Sequence, residues 1–174
     1  IGTGGNISVT TGGDLTAGSI GALIDNSSEG NIGGTANVSF NLTGALPTGG
    51  DANFTIDNST GGMIGADAGI NVSAASISAG GALFANILNG AGGSIDGSAN
   101  INFNLAGDLT TVGDANFTID NSTGGVGGSI GGNATINVAA ANITANTLLA
   151  QINNTSGTIG GNANINFNLT GDLQ

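Results

Sequence analysis

The 174-residue chain has no lysine, arginine, histidine, cysteine, tryptophan or tyrosine, and only one proline. Each absence excludes something. Without cations nothing can neutralise phosphates and release their counterions, so no nucleic-acid partner is expected. Electrostatic attachment to an anionic lipid surface fails for the same reason. No apolar run of about eighteen residues exists, so no membrane insertion by a helix is expected. Without cysteine there are no disulfides and no thiolate metal sites. No segment combines a positively charged start with an apolar run, as a signal peptide does. If the protein is secreted, this sequence is expected to be a mature or internal piece. Trypsin-like proteases find no basic residue to cut.

What remains is glycine, small polar residues and aliphatics. There are 35 glycines and eleven acids, giving a net charge of −11, and 39 % of residues are hydrophobic. The Ile, Leu, Val and Phe are spread through the chain, which separates it from a disordered acidic tail. The length suffices for one domain with a core.

The stretch GDANFTIDNSTGG occurs at 50–62 and again, unchanged, at 113–125. Two anchors reveal the repeat behind it. An Ile before an Asn-containing turn falls at Ile24, Ile56, Ile87, Ile119 and Ile152, at intervals of 32, 31, 32 and 33. An Ile before small residues falls at Ile1, Ile32, Ile64, Ile95, Ile130 and Ile159. The units are 1–31, 32–63, 64–94, 95–129, 130–158 and a partial 159–174. The fourth carries an extra Val126-Gly127-Gly128.

Within a unit the period is two. Residues 100–105 and 164–169 both read NINFNL, and 37–42 read NVSFNL. Alternation of apolar and polar residues marks a half-buried strand. Asn is a poor strand former, so its regularity on one face predicts stacked asparagine ladders. A second, short strand is expected at Asp14-Leu15, Asp108-Leu109 and Asp172-Leu173, and a third at Ala52–Asp57 and Ala115–Asp120. Helix is disfavoured by the frequent glycines and β-branched residues. Three short strands per unit predict one coil of an all-β parallel β-solenoid (β-helix), about five and a half coils forming a single segment over 1–174. At about 4.8 Å per coil the stack is roughly 26 Å long.

The exact repeat at 63 residues means that the true period is two coils. The central inward residue of the first strand runs Val9, Phe40, Val72, Phe103, Val138, Phe167. The next runs Thr11, Leu42, Ala74, Leu105, Ala140, Leu169. Large and small alternate, which fills the interior and penalises a one-coil slip.

Chemistry is sparse. Acid–base work falls to Asp and Glu alone. A carboxylate pair can hydrolyse a glycosidic bond, but most acids occupy repeated positions: Asp25, Asp57 and Asp120; Asp14, Asp108 and Asp172; Asp51 and Asp114. An active site normally breaks a repeat, so no catalytic residue is assigned and no enzyme is expected. Asp25 and Asp57 should stack on adjacent coils without a cation to relieve them, a pairing that suits calcium. No other cofactor is expected. The sequon N-x-S/T occurs fourteen times, which makes Asn58 and Asn121, at corners, candidate glycosylation sites. Outward strand positions also generate sequons through the pleat alone. The flat polar face raises a binding alternative, glycan or ice. Its ranks are mainly Asn and Ser rather than Thr, and it lacks Trp and Tyr to stack on sugars.

Leu23-Ile24, Leu83-Phe84 and Leu148-Leu149 break the alternation, since two adjacent residues of a regular strand cannot both face inward. Either a bulge turns the second one in, or one of each pair points out and forms a lateral contact.

In its composition, as in GGNATINVAAANITA (131–145), the whole chain resembles β-helical surface adhesins of the filamentous-haemagglutinin and autotransporter kind. The resemblance implies an extracellular or cell-surface location and a structural or adhesive role. No polar cap is visible at either end, so a segment of a longer rod or a subunit stacking end to end is expected, with self as the partner.

Overall fold

The computed structural model describes residues 3–122 and 126–174. Every pairing between its twenty strands is parallel, and no described residue is helical. The strands form four sheets, so the solenoid has four faces. The first face holds Gly4–Thr11, Thr35–Leu42, Ala68–Ala74, Ala99–Leu105, Ala134–Ala140 and Ala163–Leu169. The second holds Leu46–Thr48, Ile77–Ala79, Leu109–Thr111 and Ile143–Thr144, extended by single bridges at Ala17 and Leu173. The third holds Ile20–Asp25, Ala52–Asp57, Leu83–Leu88, Ala115–Asp120 and Leu148–Asn153. The fourth holds Asn31–Ile32, Met63–Ile64, Ser94–Ile95, Ser129–Ile130 and Thr158–Ile159.

The fourth face corrects the expected three strands per coil. Its strands are two residues long, too short to display an alternation. On the second face the strand begins at Leu109 rather than Asp108, because the acid occupies the corner.

Register follows the side chains. Val9 lies beside Phe40, Phe40 beside Val72, Val72 beside Phe103, Phe103 beside Val138 and Val138 beside Phe167. The third face has its own alternation: Ala22, Phe54, Ala85, Phe117 and Ala150 form one inward column. Beside it Ile20, Ala52, Leu83, Ala115 and Leu148 alternate in the opposite phase. Each strand thus carries one large and one small residue at these two positions, and each large residue stacks on small ones.

The phenylalanines meet across the core. Phe40 packs edge-on against Phe54 at 5.1 Å, and Phe103 against Phe117 at 5.1 Å. Phe54 reaches Phe103 at 5.9 Å and Phe117 reaches Phe167 at 6.3 Å. Such edge-to-face pairs add about 0.5–1.5 kcal/mol each beyond area burial. A column of Phe separated by Val therefore becomes a continuous zigzag of five rings, because the core is thin enough for opposite faces to touch. Phe167 was expected to be buried with Phe40 and Phe103; it is 37 % exposed, because no coil covers its far side.

Candidate functional site

Two asparagine ladders organise the molecule. One is internal, at the corner between the third and fourth faces. The Asn26 amide donates to Asn58 Oδ1 at 2.7 Å, Asn58 to Asn89 at 2.7 Å, Asn89 to Asn121 at 2.8 Å and Asn121 to Asn154 at 2.6 Å. The same nitrogens donate to carbonyls of the following coil, at Met63, Ser94, Ser129 and Thr158. Among the described residues no buried side-chain polar atom lacks a partner.

Asn58 and Asn121, the candidate glycosylation sites, stand at this corner. Both are fully buried, with their amide nitrogens donating inward. A glycan on either nitrogen would require the corner to open. Ser59 and Ser122, beside the ladder residues, donate through backbone N–H and hydroxyl to Asp57 and Asp120.

The second ladder runs along the outer surface of the first face. Asn166 donates to Asn137, Asn137 to Asn102, Asn102 to Asn71 and Asn71 to Asn37, at 2.8–2.9 Å. The last step is diagonal, since Asn71 is in register with Ser39 and Asn37 with Gly69. A Cβ on Gly69 would stand 3.1 Å from both Asn37 Oδ1 and Asn71 Nδ2, so glycine leaves room for the crossing. The gap forms an open groove of about 320 Å³, lined by Asn6, Asn37, Asp67, Asn71, Asn100 and Asn102. Two smaller grooves lie on the same face. These grooves offer amide and hydroxyl donors and acceptors and one carboxylate, and Phe40 lies among the lining residues of one of the smaller two.

The acids serve the corners. Asp14 Oδ1 accepts the Ala45 N–H, Asp51 that of Ala82, Asp67 that of Ser98 and Asp108 that of Asn142. Each links a carboxylate to the next coil. In later coils the acceptor becomes Ser98, Asn133 or Asn142. Hydrogen bonds from Thr147 and Asn146 hold the Asp114 carboxyl below its ordinary value.

The expected Asp25–Asp57 step exists, with the two residues in register. Leu88 follows Asp57 in the column, so the carboxylates do not continue. Asp25 accepts the Ser27 hydroxyl at 2.6 Å and its N–H at 3.0 Å, which together hold the Asp25 carboxyl below its ordinary value. Among the described residues no three acids gather as a metal site would require.

The broken alternations involve no bulge, since the third face keeps continuous register. Leu83 and Leu148 face inward, while Phe84 is half-buried and Leu149 is 42 % exposed on the outside. Phe84 and Leu149 share an outer column with Asn53 and Asn116. Leu23, 58 % exposed, stands in the neighbouring column with Thr55. The structure thus brings two of the three pairs into line.

The internal ladder was missed as a ladder, although its signal lay in the sequence. Asn26, Asn58, Asn89, Asn121 and Asn154 each stand two residues after an anchor isoleucine. No family model matches the chain, and neither does any curated protein or solved structure.

Proposed function

We propose that the chain is a structural and adhesive rod element working outside the cell, whose partners are further coils at its ends and neighbouring rods along its side. The observation that carries this reading is the use made of the polar side chains. Asparagines and aspartates hydrogen-bond one coil to the next, and no cluster of reactive groups breaks the pattern among the described residues. A solenoid stabilised rung by rung gains cooperativity with each added coil. The Phe84–Leu149 column is the side on which a lateral neighbour would lie.

Electron microscopy of the native material tests the proposal: rods or bundled fibres at the cell surface support it, and a soluble particle confined to the cytoplasm refutes it. A second reading rests on the groove beside Gly69. In it the first face binds glycan, through amides rather than stacking. Binding to a glycan array that is lost in Gly69→Leu, with the fold intact, would favour it. The ice alternative has weaker support, since Asn dominates the outer columns of the first face.

A further inference from the structure

Asn89 is the only asparagine in the chain that is followed by glycine. The other four residues of the internal ladder precede a hydroxyl side chain: Asn26-Ser27, Asn58-Ser59, Asn121-Ser122 and Asn154-Thr155. The difference is chemical. An asparagine carboxamide is open to attack by the backbone nitrogen of the next residue, and a side chain on that residue hinders the approach. Glycine has none, and its backbone reaches conformations that other residues resist.

A second difference stands one position before the ladder. Asp25, Asp57, Asp120 and Asn153 each accept, through Oδ1, the backbone N–H of the residue just after the ladder asparagine, at Ser27, Ser59, Ser122 and Thr155. That bond ties down the nitrogen that would attack. In the third coil the same column holds Leu88, whose side chain has no oxygen to offer Gly90. The third coil therefore lacks both the steric shield and the clamp.

What protects Asn89 is the ladder itself. The residue is fully buried. Its amide donates to Asn121 Oδ1 and to the Ser129 carbonyl, and its Oδ1 accepts from Asn58. The carboxamide cannot turn toward the Gly90 nitrogen without leaving these partners.

We propose that Asn89-Gly90 is a self-modification site, closed while the coils are stacked and reactive when this corner opens. The Gly90 nitrogen attacks Asn89 Cγ and gives up its proton; the Cγ–Nδ2 bond breaks and ammonia leaves. The succinimide that forms takes up one water. Opening of the ring at Cγ gives aspartate. Opening at the Asn89 backbone carbonyl gives isoaspartate, whose main chain runs through the former side chain. The aspartate sets a carboxylate against Asn121 Oδ1 and the Ser129 carbonyl, acceptor against acceptor in a buried site. The isoaspartate lengthens the backbone and shifts the register of the corner. With either product the corner no longer closes as before, so a transient opening becomes a permanent one. This site is independent of what the chain binds or builds.

The test incubates the whole chain at mildly alkaline pH, folded and in guanidinium chloride. A protease that cuts after phenylalanine releases the segment between Phe84 and Phe103, and mass spectrometry with fragmentation locates each amide lost. The folded chain should lose the Asn89 amide roughly a hundredfold more slowly than the denatured chain, because only the open corner reacts. Among the five ladder positions Asn89 should still be the first to change in the folded chain, and the changed molecules should melt at a lower temperature. Gly90→Ser should slow the reaction in both conditions. Leu88→Asn, which supplies the clamp that Asn153 provides in the fifth coil, should slow it in the folded chain and leave it unaltered in denaturant. A folded rate equal to the denatured one overturns the proposal. So does earlier loss at another ladder asparagine, or an unchanged melting temperature once the Asn89 amide is gone.

Discussion

Asn89 holds its corner through three strong contacts: it accepts from Asn58 and donates to Asn121 and to the Ser129 carbonyl. Asn89→Ala strands Asn121 Oδ1 in a buried site, a loss of about 1–3 kcal/mol beyond the packing change. Asn89→Asp is worse at neutral pH, because a buried carboxylate then faces Asn121 Oδ1. Its stability should recover as the pH falls and the acid protonates, which denaturation at several pH values would reveal. In the core, Phe103→Ala should cost about 3–5 kcal/mol, since neighbouring rungs cannot close the cavity; urea unfolding measures it. At Asp25 the lowered folded value means a contribution that is present above the unfolded value and lost as pH falls through the folded one. Ser27→Ala removes the largest cause, so the Asp25 midpoint should rise in a carboxyl NMR titration. An unmoved midpoint would mean that the Ser27 hydroxyl is not what holds it down.

At the level of the element, the turn after Asn26, Asn58, Asn89 and Asn154 is a demanding piece of backbone. Ser28, Thr60, Ala91 and Ser156 have positive φ, and the following position does too in Glu29, Gly61 and Gly92. Glycine adopts this region without steric cost, while other residues are strained there. Glu29→Gly should therefore stabilise the first coil by about 0.5–1 kcal/mol, visible as a higher melting temperature. The same reasoning gives the reverse sign for Gly61→Ala. On the third face, Phe84→Ser with Leu149→Ser should leave the melting temperature nearly unchanged while abolishing lateral bundling. A large fall in stability with bundling intact would show that the column packs within the rod.

For the whole molecule, the charge of −11 with no cation sets the response to salt. Stacking brings carboxylates closer than in the unfolded chain, so sodium chloride should raise the melting temperature by screening. Calcium at matched ionic strength tests the Asp25–Asp57 step. An added rise that Asp57→Asn removes would identify the pair as a binding site, and equal rises for calcium and magnesium would assign the effect to screening.

The solenoid, its coil length and its two-coil period were legible in the sequence because they are written locally: alternation of period two along each strand, and identical letters about 63 residues apart. Register along the first face could be read as well, since Val9 through Phe167 alternate in size and a slip would set Phe on Phe. Which faces oppose each other was not legible. The ring contacts between Phe40 and Phe54, or Phe103 and Phe117, depend on how sharply the corners turn, and glycine-rich corners do not encode an angle that can be read by eye. Burial of the ladder asparagines was decided by tertiary structure for a related reason. A corner residue looks exposed in sequence, yet stacking places Asn58 between Asn26 and Asn89, where each amide completes its neighbours. The direction of Leu149 and the open space beside Phe167 were also settled only in three dimensions, because each depends on which strand lies one rung away.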